Sequence, residues 1–383
     1  MKDETKHITV GRDPENHFGA VNIPVYHAST IIYPNLDALR GRTPVPYSYG
    51  RRATPTTRAL ENAICTLEGG TGCVLTPSGM AAVATAILSV VKSGDHLLMV
   101  DCTYAPTRYF CDNHLKNMGI ETQYYDPLIG GDIAKLIRDN TALIFCESPG
   151  SQTFEIQDIP AIIQAAKKRG VKTALDNTWA TPYFFKAMAH GIDLSIQAAT
   201  KYIVGHADAL LGTITANKET YAALKKTHAS LGQCAAPDDV FLALRGLRTL
   251  PTRLKQHQQS ALALAAWLQQ FDFVKQVFYP ALPEAAGHDL WKRDFEGASG
   301  LFGIEIDAID DTRLAAMLDN MNLFAMGYSW GGFESLIVPS TIIRTASKFD
   351  NKRLFLRLHI GLEHVDDLRA DLEAGFIRAG FKF

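Results

Sequence analysis

No stretch of this chain is dominated by charge of one sign: 38 lysines and arginines face 40 aspartates and glutamates, for a formal net charge of −2. Without a basic block there is no electrostatic footprint for nucleic acid or an anionic membrane. No apolar run reaches the roughly 18 residues that a membrane helix requires. The six cysteines (Cys65, Cys73, Cys102, Cys111, Cys146 and Cys234) form no CxxC pair and no short disulfide-framework spacing, so reduced, mostly buried thiols are expected and no metal site. No GxxxxGK[ST] loop and no strand-linked GxGxxG occurs, which leaves a nucleotide without an evident seat. Internal repeats and low-complexity tracts are absent too. Residues 1–6 are charged and lack an apolar core, which predicts no secretory signal and a cytoplasmic protein.

What is present is ordinary globular material. Hydrophobic residues make up 47% and charged residues 20% of a chain of 383 residues, a length suited to two domains. Residues 1–51 carry Pro24, Pro34, Pro44 and Pro46 and no long periodic helix, and read as an arm that lies against something larger. From there, short apolar runs at 73–75, 97–100, 142–145, 173–175, 194–196 and 212–214 alternate with helical stretches such as 60–67, 81–91 and 159–169. Asp158 stands as an N-cap with Pro160 in the first turn of the last of these. Continuous apolar strands alternating with helices predict a largely parallel, doubly covered sheet, whose ligands sit at the strands' carboxyl ends. A helix predicted over 252–271 leads to a smaller C-terminal α/β domain, with half-buried strands at 301–306 and 355–360 and a closing helix at 368–379. The expected division is therefore 1–51, 52–247 and 248–383.

Six places on this scaffold could carry chemistry. Lys201 lies between the small-residue run Gln197-Ala198-Ala199-Thr200 and the apolar Tyr202-Ile203-Val204. Most lysines at strand ends are solvated cations, but an ammonium in apolar surroundings tends to lose its proton and become a nucleophile able to form a Schiff base. Ser78-Gly79-Met80 joins a strand to a helix, and such a turn aims free N–H groups at one spot where a phosphate binds; an empty tight turn is the plainer alternative. Asp176 directly follows the 173–175 strand, where it caps a helix or faces a ligand; a carboxylate there suits a ring nitrogen that must stay protonated, as in a pyridoxal phosphate site. Arg357, on an apolar strand, is costly unless it meets an anion such as an amino-acid carboxylate. Tyr104, after the 97–100 strand, is placed to stack on a planar ring or to fill the core. The cluster Tyr47-Ser48-Tyr49-Gly50-Arg51-Arg52 makes either a solvated turn or a phosphate clamp.

Taken together, and above all in Lys201 with the following Gly205-His206-x-Asp208, the chain resembles the Cys/Met-metabolism group of pyridoxal-phosphate enzymes from about Tyr47 to its C-terminus. That resemblance implies an aspartate-aminotransferase-like (type I) α/β fold with a mostly parallel sheet in the large domain. It implies pyridoxal 5'-phosphate as cofactor, held as an imine on Lys201, with Asp176 on the pyridine nitrogen and Tyr104 stacked on the ring. The amides of Gly79 and Met80 and the Thr200 hydroxyl would hold the phosphate. Tyr49 and Arg51 would complete that site from a neighbouring subunit, with Tyr49 joining Lys201 and Tyr104 as catalytic groups, in a homotetramer built as a dimer of dimers. Arg357, Ser329 and Trp330 would receive the carboxylate of a small amino-acid substrate. One departure is Ala198, where many relatives carry a serine that gives the phosphate another hydroxyl. Within the family, Glu147-Ser148-Pro149-Gly150-Ser151 and Ser329-Trp330 point to carbon–sulfur β-cleavage, converting L-cystathionine to homocysteine, pyruvate and ammonia, with cystine or S-alkylcysteines as further substrates. The alternatives are a γ-acting relative and, more distantly, a regulatory binding protein that keeps the fold.

Overall fold

The computed structural model describes residues 1–382. The short apolar runs form a seven-stranded sheet: β1 (Gly72–Thr76), β2 (His96–Val100), β3 (Glu121–Tyr125), β4 (Thr141–Glu147), β5 (Lys172–Asp176), β6 (Leu194–Gln197) and β7 (Gly212–Ala216). Their order is β1-β7-β6-β5-β4-β2-β3, with only β7 antiparallel to its neighbours. Every residue of β1, β2, β6 and β7 is buried, because helices cover both faces and leave no polar side to alternate with. The one strand missed in this sheet, β3, is its exposed edge. Its sequence Glu-Thr-Gln-Tyr-Tyr is half in water and lacks the apolar signature.

The smaller sheet contains β8 (Val274–Phe278), β9 (Leu301–Ile306), β10 (Leu336–Ser340) and β11 (Leu354–His359), in the order β10-β11-β9-β8, all antiparallel. Its two inner strands are those predicted from the sequence, while β8 and β10 are the outer ones. A helix over Val365–Arg378 packs against it.

The two sheets are joined by one helix, Pro237–Leu268. It begins well before the predicted residue 252 and runs unbroken through 247 and 248, where the sequence pattern divides the chain. Pro251 sits inside it and is buried. A proline there removes the helical hydrogen bond to the Leu247 carbonyl; the neighbouring Gly246 carbonyl accepts from the Arg253 guanidinium at 2.9 Å. The first helix, Asp3–Thr9, docks on this same long helix: Arg248 donates to the carbonyls of His7 (2.9 Å) and Val10 (2.6 Å), and Lys255 pairs with Glu4 at 2.7 Å. Residues 26–52 of the arm are mostly exposed.

Helix caps place the remaining pieces. Ser78 opens the helix Gly79–Leu88 by accepting the Ala81 N–H at 3.1 Å, and Asp158 opens Ile159–Lys168 by accepting that of Ala161 at 3.2 Å.

Candidate active site

The carboxyl ends of β1, β2, β4, β5 and β6 open on one edge of the large sheet. There they enclose, with Trp330 and Arg357 of the small domain, a cavity of roughly 250 Å³. Each strand delivers its next residues to the wall: Ser78, Gly79 and Met80 after β1, Tyr104 after β2, Glu147 and Asp176 from the ends of β4 and β5, and Thr200 and Lys201 after β6.

Lys201 stands on a tight turn, its N–H bonded to the Ala198 carbonyl at 2.9 Å and its carbonyl accepting from Gly205 at 2.8 Å. Its amine donates to the Ser329 hydroxyl at 2.5 Å and lies 5.2 Å from the centre of the Trp330 ring. Burial lowers its pKa to about 8; the nearby Arg357 cation adds to the effect and Asp176 opposes it. The shift runs in the direction that the flanking residues predict, toward an amine that gives up its proton more readily than an ordinary lysine.

Asp176 accepts the N–H of Thr178 at 3.0 Å and its hydroxyl at 2.5 Å, and the same hydroxyl accepts the Ala198 N–H at 2.8 Å. Thr178 thus ties the carboxylate to the backbone three residues before the lysine. Glu147 is Asp176's partner in the β4–β5 register. It accepts the Tyr104 N–H at 2.8 Å and the Thr103 hydroxyl at 3.2 Å. Burial pushes both carboxyl pKa values upward, Glu147 the further, because it also feels the Asp176 charge, whereas Thr178 and Lys201 favour ionised Asp176. Burial, then these two carboxylates, also raise the Tyr104 phenol, which keeps it protonated.

On the opposite wall, Arg357 donates to the Ser329 carbonyl at 3.0 Å. Burial lowers its pKa, and its charge is met by no carboxylate among the described residues. Ser329 itself holds a left-handed φ of 85°, an unusual conformation for a residue other than glycine and one that tends to mark functional sites. Two residues on, Gly331 (φ 84°) presses on the lysine turn: a Cβ there would lie 2.9 Å from the Tyr202 nitrogen and 3.0 Å from Lys201 Cα.

The structure brings together Lys201, Asp176, Tyr104, Gly79, Met80, Thr200, Trp330 and Arg357, with Ser329 on the lysine amine. Thr200 lines the cavity. Its hydroxyl donates to the Leu211 carbonyl at 3.1 Å and accepts the Leu211 N–H at 2.9 Å. Tyr49 and Arg51 do not line this cavity within one chain. Both are exposed, and Arg51 donates to the Ala229 carbonyl at 3.2 Å. Position 79 must be glycine, since a Cβ there would come within 2.5 Å of Ala198 Cβ; this close approach brings the helix N-terminus against the turn before Lys201. Sequence reasoning assigned no role to Thr178, and took Glu147 only as part of the 147–151 stretch, with no place beside Asp176. The Asp-x-Thr spacing is a side-chain turn signal that would have found the first, while the second is revealed only by strand register.

This donor set fits pyridoxal phosphate. The ten-residue helix Gly79–Leu88 offers its N-terminus to a phosphate, Asp176 offers a carboxylate to a pyridine N–H, and Lys201 offers an amine to an aldehyde, all in one cavity.

Known proteins carry the same arrangement of chain. A family model described as "Cys/Met metabolism PLP-dependent enzyme" matches residues 4–377. The chain is 46% identical to cystathionine β-lyase of Escherichia coli K12 over 390 residues, covering 98% of each. It is 46% identical to that of Haemophilus influenzae over 386 residues, again covering 98% of each. The crystal structure of cystathionine γ-synthase from Xanthomonas oryzae pv. oryzae in complex with aminoacrylate and cysteine superposes with a TM-score of 0.91 at 31% identity, over 99% of both chains. With the match spanning nearly its whole length and the cofactor's three anchoring groups in one cavity, the chain belongs to the Cys/Met-metabolism family of PLP-dependent enzymes.

Proposed function

We propose that this enzyme is a carbon–sulfur β-lyase that cleaves L-cystathionine to homocysteine, pyruvate and ammonia, and that it also accepts cystine or S-alkylcysteines. The observation that carries the proposal is the placement of one weakly basic amine, Lys201, between a buried carboxylate and an arginine with no counter-ion.

The Gly79 and Met80 amides would hold the cofactor's phosphate, Asp176 its pyridine N–H, Tyr104 a ring face and Lys201 its aldehyde carbon. Once bound, pyridoxal phosphate supplies an electron sink for negative charge at the substrate's α-carbon. Everything else is the work of the chain. Arg357 meets the substrate carboxylate, and Ser329 and Trp330 form the wall beside it, which fixes the α-carbon relative to Lys201. The Lys201 amine, largely relieved of its proton cost by burial, takes the α-proton as general base. When the Cβ–S bond breaks, the departing sulfur needs a proton. The Lys201 ammonium and the Tyr104 phenol both face the cavity and can supply it.

Tyr49 and Arg51 are assigned to the phosphate end of a neighbouring copy's cavity, which makes a dimer the smallest active unit and a tetramer a pair of such dimers. Their exposure on the arm supports that reading. Among the described residues no helix is long and apolar enough to cross a membrane, and we assign the enzyme to the cytoplasm.

Product analysis tests the reaction. Incubation with cystathionine should yield pyruvate and homocysteine in equal amounts. Formation of 2-oxobutyrate instead would move the enzyme to the γ-acting branch.

A further inference from the structure

Asp101 directly follows β2, three residues before Tyr104, and does not line the cavity. Its side chain is fully buried, and both its oxygens are wrapped by one segment of the other domain. The Thr345 N–H reaches each oxygen at 2.9 Å, that of Ala346 reaches one at 2.8 Å and that of Ser347 the same one at 2.7 Å. The hydroxyls of Thr345 and Ser347 donate at 2.9 Å each. Arg108 adds a guanidinium N–H at 2.7 Å while lying 3.9 Å from the centre of the Tyr124 ring. Successive N–H groups converging on one anion form a nest, and here the anion is the chain's own side chain.

The wrapping segment belongs to the connection between β10 and β11, and β11 carries Arg357. The same connection also grips a second part of the cavity rim. Arg344 donates to the Asp101 carbonyl at 3.3 Å, to Glu155 at 3.1 Å and to the Thr153 hydroxyl. Glu155 in turn accepts, through its carbonyl, the N–H of the wall residue Gly150 at 2.9 Å. One tip of the small domain therefore holds both the Tyr104 turn and the Gly150 loop. A buried carboxylate costs several kcal/mol of lost hydration unless every lone pair is met, so an apolar contact would join two domains more cheaply. What the carboxylate adds is direction: charge-assisted bonds define one docking geometry where apolar surfaces would slide.

We propose that Asp101 is a positioning residue that locks the β10–β11 connection onto the sheet domain and so sets the distance from Arg357 to Tyr104 and Lys201, the span that a substrate's carboxylate and α-carbon must bridge. The inference rests on the reading above that Arg357 receives the carboxylate.

The test uses the loaded enzyme and Asp101→Asn, which keeps the shape but replaces one acceptor with N–H groups facing N–H donors. Its KM for cystathionine should rise at least tenfold while kcat stays within threefold and the visible band of the bound cofactor is unchanged. Trypsin should then cut faster than in the parent at Arg344, whose side chain is buried there. Should Asp101→Asn fail to fold, the double variant Thr345→Val/Ser347→Ala, which removes the two hydroxyl bonds to Asp101 and the Arg108 bond to the Thr345 hydroxyl while keeping the backbone N–H bonds, decides the matter with a KM rise of about two- to fivefold. An unchanged KM with a fallen kcat, or a connection that stays resistant to trypsin, would overturn the proposal. Arg357→Lys is measured in parallel. If its KM equals the parent's, the carboxylate assignment fails, while the tryptic pattern still reports on the clasp by itself.

Discussion

Substituting Arg357 by leucine should make Lys201 a poorer nucleophile without touching it. The parent amine titrates near 8 rather than near the ordinary 10.5, so at pH 7.5 about a quarter of the molecules carry it neutral, against roughly one in a thousand for an unperturbed lysine. Burial is the largest cause and remains in the variant. The Arg357 cation is the second and disappears, so the midpoint should move up. Asp176→Asn removes the one opposing charge and should move it down. Competitive acetylation of the cofactor-free protein between pH 6 and 11, read by mass spectrometry on the Lys201 peptide against the exposed Lys352, measures all three midpoints. A parent midpoint at or above 10, or a downward shift in Arg357→Leu, would refute the account of why this lysine is reactive.

Two further outcomes follow from neighbours of that lysine. Gly331→Ala combines a left-handed φ with a Cβ at 2.9–3.0 Å from backbone atoms of Lys201 and Tyr202, neither of which is a yielding side-chain tip. We expect a loss of about 2 kcal/mol in urea unfolding and, through displacement of the lysine turn, on the order of a hundredfold in kcat; parent-like values of both would show that the contact does not matter. His257 is buried behind Tyr202, its ring nitrogen on the Ile360 carbonyl at 2.7 Å, and burial lowers its pKa from 6.5 to about 4. Between those values the unfolded chain binds a proton that the folded one refuses, so stability falls as the pH drops from 6.5, by about 3 kcal/mol once pH 4 is reached. His257→Gln should flatten this part of the stability–pH curve measured by urea titration, and curves of equal slope in variant and parent would count against the cause named here.

The large sheet was legible where burial on both faces left unbroken apolar strands, and illegible at β3, whose Glu-Thr-Gln-Tyr-Tyr faces solvent at the edge. The long helix was misjudged at Pro251, because a proline reads as a break. In the folded molecule it is buried within a helix packed against the first helix, the helix Pro55–Glu68 and strands β8 and β9, and tertiary packing outweighs the local penalty.

The residue types of the site lay open in the sequence. Lys201, Asp176, Gly79 and Arg357 each contradict their surroundings or sit at a strand's end, and local chemistry is enough to single such residues out. What remained undetermined was whatever depends on residues distant in the chain meeting. Glu147 meets Asp176 only through strand register, Gly331 meets Lys201 across 130 positions, and Asp101 meets Thr345 across 244. Chain order records which groups exist, but the separation between two groups is set by the path of the backbone. For that reason the chemistry could be read from the residues, while the geometry that tunes it existed only after the two sheets had packed.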